Sequence, residues 1–239
     1  GESTETTSEY VEGVSWVGGY LSSHLLKPGE TTVRMLEPRI LLTNHHIERP
    51  DELIPTLEAC SAAGERNLLI LAPDIKDTAL ALLVLNRQHG RFDHIVAAKA
   101  PHFGDQRAGI LDDLAIITGG RCFQVDRHER LEDLRIDDLG RARQAWVTYS
   151  HFGILGGRGE KAQMRARIAE LKPQIRLLAD DEWSRDRVKE RIGKLAGLAA
   201  TIRVGAATPS DRDELKLRVE AAVAAARAGA IEGVVPGGG

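Results

Sequence analysis

Aromatic residues make up only 4% of this sequence, which argues against a base-stacking platform for nucleic acid. An excess of one charge is also missing. The 32 Lys and Arg stand against 35 Asp and Glu, for a formal net charge of −3, so no global basic field points to nucleic acid either. Cysteine occurs twice, at Cys60 and Cys122, in no metal-ligating or redox spacing. Two cysteines do not make a disulfide framework for a chain of this length, and a reducing, cytoplasmic setting is expected. No apolar run approaches the length of a membrane span, so no membrane partner is expected. The chain opens on GESTETTSEYVEGVSW, with no methionine and no signal-peptide pattern, and closes on GVVPGGG. Both ends read as mid-chain linkers, and a piece of a longer protein is expected.

What is present suits a globular chain. Hydrophobic residues make up 42% and charged residues 28% of 239, enough for a substantial core in one large domain, or in a domain plus an appendage. Residues 1–10 are polar and read as a linker or a loose edge strand. Two β-like runs flank Glu37-Pro38 within 31–44. NLLILA (67–72) and HIVAA (94–98) are short apolar runs bounded by turn signals, as buried strands are. AWVTYS (145–150) and ATIRVGA (200–206) add two more.

Helical patterns alternate with these runs. Residues 51–63 carry Leu53, Leu57 and Cys60 on one stripe. Residues 106–118 carry Ile110, Leu111, Leu114 and Ile117, with Gly119 placed to end the helix. Two further patterns, through Ile168, Leu171, Ile175, Leu178 and through Val188, Ile192, Leu195, predict a helical hairpin with Pro173 kinking its first arm. A last helix is predicted from an N-cap at Ser210, with Asp213 in its first turn and a stripe of Leu215, Val219, Ala222 and Ala226. The segment DTALALLVLN (77–86) departs from ordinary patterning, because it is apolar all round from Ala79 to Leu85. Such a helix is either wholly buried or exposes apolar surface on purpose.

The candidate chemistry is sparse. KAPHFGDQR (99–107) gathers Lys99, Asp105 and Arg107, which would serve a small α/β enzyme only if they met around one pocket. The loop has neither a Walker A pattern nor a dinucleotide fingerprint. Scaffold roles account for each residue: Asp105 as an N-cap, Gly104 as a turn, and Arg107 as a partner of Asp112 or Asp113. His45 and His46 are neighbours that a strand points to opposite faces, a poor chelate, and His24 lies elsewhere; no metal is expected. Tyr149, Ser150 and His151 lack a specified acid and oxyanion hole for hydrolysis. Asp180, Asp181 and Glu182 read as a solvated cluster at a helix start. The closing PGGG reads as a hinge rather than a phosphate cradle.

Together, EGVSWVGGYLS (12–22), KAPHFGDQR (99–107), LDDLAIITGG (111–120), RIDDLGRAR (135–143), RVKERIGKLAG (187–197), VGAAT (204–208) and EGVVPGGG (232–239) resemble the group I chaperonins, the 60 kDa heat-shock family. The blocks stand in the family's order and span nearly the whole chain. The resemblance implies an α/β fold, the swivelling β/β/α apical domain, over 12–199. Residues 1–11 would then be a linker at the end of a preceding intermediate segment. Residues 200–239 would be the returning helical segment of the intermediate domain. The family's ATP-binding equatorial domain has no counterpart here. ATP and Mg2+ are therefore implied for a full-length, ring-forming homo-oligomer, with no cofactor and no enzyme activity for this segment, itself expected as a monomer.

The resemblance also implies a site. The family binds non-native polypeptide, and a co-chaperonin's mobile loop, in an apolar groove. Its positions fall here on Tyr20, Ser22, His24, Leu25, Ile54, Leu57, Leu80, Val84, Leu85 and Asn86. Departures accompany the match. His24 stands where the family has an aromatic and Leu25 where it has phenylalanine, which makes the groove less aromatic and pH-sensitive near His24. Gly18 and Pro209 replace an Arg and a Glu that pair between subunits. Ala221 replaces the aspartate that assists ATP hydrolysis. These changes mark a divergent, chaperonin-like paralogue. A surface kept for one fixed partner, rather than for varied clients, is a further reading.

Overall fold

In the computed structural model, which describes residues 7–178, 181–206 and 208–232, the most apolar runs become parallel strands. β3 (Arg39–Thr43) pairs with β5 (Asn67–Ala72), and β5 pairs with β7 (His94–Lys99). All five residues of β3 are buried, as are five of six in β5. Parallel strands covered on both faces read as near-continuous apolar runs, and these do.

The rest of the sheet is antiparallel. β9 (Gly140–Val147) lies against β3, then β10 (His151–Gly157) against β9 and β1 (Thr7–Val17) against β10. β2 (Val33–Leu36) also pairs with β9, and the short β8 (Cys122–Phe123) with β3. A separate parallel pair joins β4 (His46–Ile47) to β6 (Asp74–Ile75). β9 ends at Val147, earlier than the 145–150 run predicts. Thr148 breaks it, because its hydroxyl accepts the N–H groups of Ser150 (3.4 Å) and His151 (3.0 Å) and folds a turn into β10.

α1 (Ile54–Ala62) follows a 3-10 turn at Pro50–Glu52. α2 (Asp77–Gln88) and α3 (Gly104–Thr118) complete the crossovers. α3 is capped at Phe103, with no side-chain bond, so Asp105 is not the N-cap that its position suggests. It sits in the first turn, where its charge favours the helix dipole. Gly119, at φ 69°, closes the helix. α4 (Lys161–Leu177) and α5 (Glu182–Leu195) pack together as the predicted hairpin, and α3 touches both. Pro173 lies inside α4 without ending it. Asp181 caps α5 by accepting the Ser184 N–H at 3.0 Å, and the Ser184 hydroxyl first and this N–H second lower its carboxyl pKa. Asp180 lies outside the described residues.

Residues 12–199 form one compact unit, and residues 1–11 with 200–239 form a second. The second holds most of β11 (Leu198–Arg203) and α6 (Pro209–Glu232). The cap of α6 is Thr208 rather than Ser210. Its hydroxyl accepts from Asp211 N at 3.1 Å, its carbonyl accepts from Arg212 N at 3.0 Å, and Pro209 takes the first helical position. Leu215 and Val219 of the predicted stripe are half-buried and Ala222 is exposed, while the Ala226 side chain, residues 1–6 of the predicted linker and the closing PGGG lie outside what is described.

Candidate functional site

α2 resolves the choice that its all-apolar sequence leaves open. Ala79, Leu83 and Asn86 are buried on the core side. Leu80 and Val84 are half-buried, and Leu85 is 49% exposed. A core helix would hide all of them, whereas this one keeps a second apolar face open to water.

That face borders the 3-10 turn Ser23–Leu25. Between turn and helix lies a shallow depression of about 420 Å3, lined by His24, Asp77, Leu80, Ala81, Val84 and Leu85. The turn is held at both ends. Ser22 caps it, its hydroxyl accepting the His24 N–H at 3.2 Å. Arg87, one turn beyond Val84, donates to the His24 carbonyl at 3.3 Å. Upstream, Leu21 N donates to Ala97 O at 2.8 Å, and Lys99 N donates to Gly19 O at 2.9 Å. The wall of the depression is thereby bonded to β7.

The ten positions implied by the resemblance divide into three groups. His24, Leu80, Val84 and Leu85 share the depression. Tyr20, Ser22 and Ile54 are at least partly accessible but do not line it. Tyr20 packs edge-on against Tyr149 at 6.0 Å between centroids, Ser22 serves as the cap, and Ile54 stands exposed on α1. Leu25, Leu57 and Asn86 are buried, at 2%, 6% and 8% exposure. Leu25 is packed into the core because the 3-10 turn rolls it inward. The Asn86 amide is turned onto its own helix, donating to Leu82 O at 2.9 Å. Leu57 and Asn86 instead edge a different cavity, of about 310 Å3, with Glu58, Arg91 and Phe92. The single ten-residue groove is therefore, in this molecule, a smaller apolar depression on α2 beside a more polar cleft between α1 and α2. Asp77 and Ala81 line the depression too. Their helical spacing from Leu80 and Leu85 is the signal that could have placed them there.

The 99–107 loop does not bring Lys99, Asp105 and Arg107 together around one cavity. Arg107 pairs with neither Asp112 nor Asp113 and folds back onto the His102 carbonyl, at 2.9 and 2.6 Å. Asp112 is taken by Arg127 at 2.7 Å, and Asp113 by Arg167 and Arg191. Lys99 and Asp105 are exposed, and none of Lys99, Asp105 and Arg107 lines any cavity described here. Ser150 Oγ lies 2.9 Å from His151 Nδ1 on an exposed turn, a contact between chain neighbours. Among the described residues no group of His, Cys, Asp and Glu could hold a metal ion, and no helix is long and apolar enough to cross a membrane. Burial pushes the Cys60 and Cys122 thiols up to about 12, which disfavours the reactive thiolate at both. No protein-family model matches the chain.

Proposed function

We propose that residues 12–199 are a polypeptide-capturing apical domain of group I chaperonin type, divergent in sequence, working as one member of a homo-oligomeric ring. The observation that carries this reading is the open apolar face of α2. Leu80 and Val84 pack against the core with one side and leave the other open beside the exposed Leu85, and the three line a depression of a size to take side chains from an extended or helical segment. Each leucine-sized group that a client buries there contributes about 1.5–3 kcal/mol. Against the entropy of association, one such face binds weakly. A ring presenting many copies to one chain binds through avidity, which suits a folding assistant that must also let go.

The mixed sheet with helical crossovers and a helical hairpin is compatible with the swivelling apical architecture, and the ordered sequence blocks give the reading its family. Non-native polypeptides are the partners it calls for, with a co-chaperonin loop as a competitor for the same face. ATP and Mg2+ belong, on this reading, to a domain with no counterpart in these residues, and no residue here is assigned an ATP step.

The test is the anisotropy of a fluorescein-labelled amphipathic peptide titrated with the chain, beside a Leu80→Glu/Val84→Glu variant whose fold is checked by circular dichroism. Binding by the native chain, lost in the folded variant, is the expected outcome. Equal binding by both, or by neither, removes the α2 face as the site. Preference for one defined loop over unrelated apolar peptides by a factor of about a hundred, roughly 2.7 kcal/mol, would reassign the face to a fixed partner.

A further inference from the structure

We propose that a second cavity, between α4, the end of α5 and the β1–β10 pair, is a binding site for a small amphipathic anion of the medium-chain carboxylate class. The cavity measures about 250 Å3 and shares no lining residue with the depression on α2, so the inference does not rest on polypeptide capture.

Its chemistry is two-sided. Val14, Ile117 and Leu195 are buried and Ile168 is half-buried, which makes an apolar floor. Lys161, Arg165 and Lys194 are the charged residues of the lining, which includes no Asp or Glu. An inorganic anion would satisfy the cations and leave the floor wetted. A neutral hydrocarbon would cover the floor and leave the Arg165 guanidinium with water alone. A carboxylate with an apolar tail meets both demands. At about 30 Å3 of liquid volume per water, the space equals roughly eight waters, which suits a tail of roughly six to eight carbons.

The three cations are not equivalent. Lys194 donates to the Ser15 carbonyl, lies 3.7 Å from the centre of the Trp16 ring and pairs with Glu190 at 3.4 Å. Arg165 makes no ion pair and no side-chain hydrogen bond among the described residues. An exposed guanidinium at the edge of an apolar cavity, with its fork unused, is a ready carboxylate anchor. α4 begins at Lys161, so the positive end of that helix adds to the same field.

Octanoate titrated into the full 239-residue chain tests this, followed by amide shifts in proton–nitrogen correlation spectra. Gly13, Gly157 and Gly197 line the cavity and report it directly. Saturable shifts at these three glycines are expected. Octylammonium, with the same tail and the opposite charge, is expected to leave them unmoved. Arg165→Glu should raise the dissociation constant at least about tenfold, as loss of a charge-assisted bond does, with Arg165→Gln intermediate. Both changes fall on an exposed residue and leave the core intact. Absence of saturable shifts at the three glycines overturns the proposal. So does octylammonium binding as tightly as octanoate, or Arg165→Glu binding within twofold of the native chain.

Discussion

Asp113 on α3 receives Arg191 from α5 side-on, its two carboxylate oxygens accepting Nε and Nη2 at 2.6 and 3.0 Å. Arg167 on α4 adds a third bond at 3.0 Å, and Arg191 also donates to the Gly109 carbonyl. One carboxylate, 4% exposed, thus ties three helices together. Asp113→Ala leaves Arg191 without its counter-charge and Arg167 with Glu170 alone, at 2.9 Å. Breaking such a pair costs about 3–5 kcal/mol, and the lower end is expected because both arginines keep some contact with water. Urea unfolding would show the loss as a lower midpoint at unchanged slope. An Asp113→Ala chain as stable as the native one would mean that the network contributes nothing net.

The neighbouring loop gives the molecule a pH dependence. His102 is half-buried, at φ 58°, edge-on to Trp16 at 6.1 Å between centroids. Burial lowers its pKa from 6.5, and Arg187 lowers it further. The folded state therefore prefers the neutral ring. That preference stabilises the fold fully above pH 6.5 and is lost as pH falls below 6.5 toward the depressed folded value. Stability is expected to decline from pH 7 to pH 5. His102→Asn should flatten part of that slope, because Asn tolerates the left-handed backbone and does not titrate. His94 is lowered as well, by burial first and Lys27 second, and should carry the remainder. An unaltered slope in His102→Asn would assign the whole effect elsewhere.

On the proposed chaperonin reading, Gly18 stands at a position where an arginine is expected. Its φ is 152°, and a Cβ there would come within 2.2 Å of the Lys99 carbonyl oxygen. Restoring the arginine is therefore expected to destabilise the chain by at least about 2 kcal/mol, through backbone strain and displacement of β7, and not to recreate an ion pair. Thermal unfolding of Gly18→Arg and Gly18→Ala decides this. Equal, large losses indicate the backbone clash, and a loss confined to arginine indicates crowding farther out.

Apolar content is what made parts of this fold readable. β3, β5 and β7 are buried on both faces and so appear as uninterrupted runs, and α2 declared itself by having no polar side. β10 did not, because HFGILGG carries three glycines and little alternation. Its glycines are there for closeness. A Cβ at Gly153 would lie 2.3 Å from the Trp146 ring, and one at Gly157 would lie 2.3 Å from the Ile117 carbonyl oxygen. Propensity marks glycine against a strand, whereas tight packing selects it. Capping shows the same limit. Ser210 and Asp105 have the right chemistry, but Thr208 and Phe103 occupy the cap positions, since the chain's path and not the side chain's preference sets where each helix begins. At the candidate site, the resemblance named Leu80, Val84 and Leu85, and periodicity added only that α2 is apolar all round. Periodicity had no means of showing that Leu25 rolls inward, because a three-residue turn leaves none to read.

β7 is the last strand on its side of the sheet, and a bare terminal strand invites another chain to zip onto it. Gly19, Tyr20 and Leu21 occupy that margin, bridging Ala97, Ala98 and Lys99. The same segment leads directly into the Ser23–Leu25 turn that walls the α2 depression. A molecule with an apolar face permanently on display thereby keeps its aggregation guard and its sticky surface on one piece of chain. Loosening that piece would both unshape the depression and bare a templating edge, so damage to binding and loss of solubility should arise together.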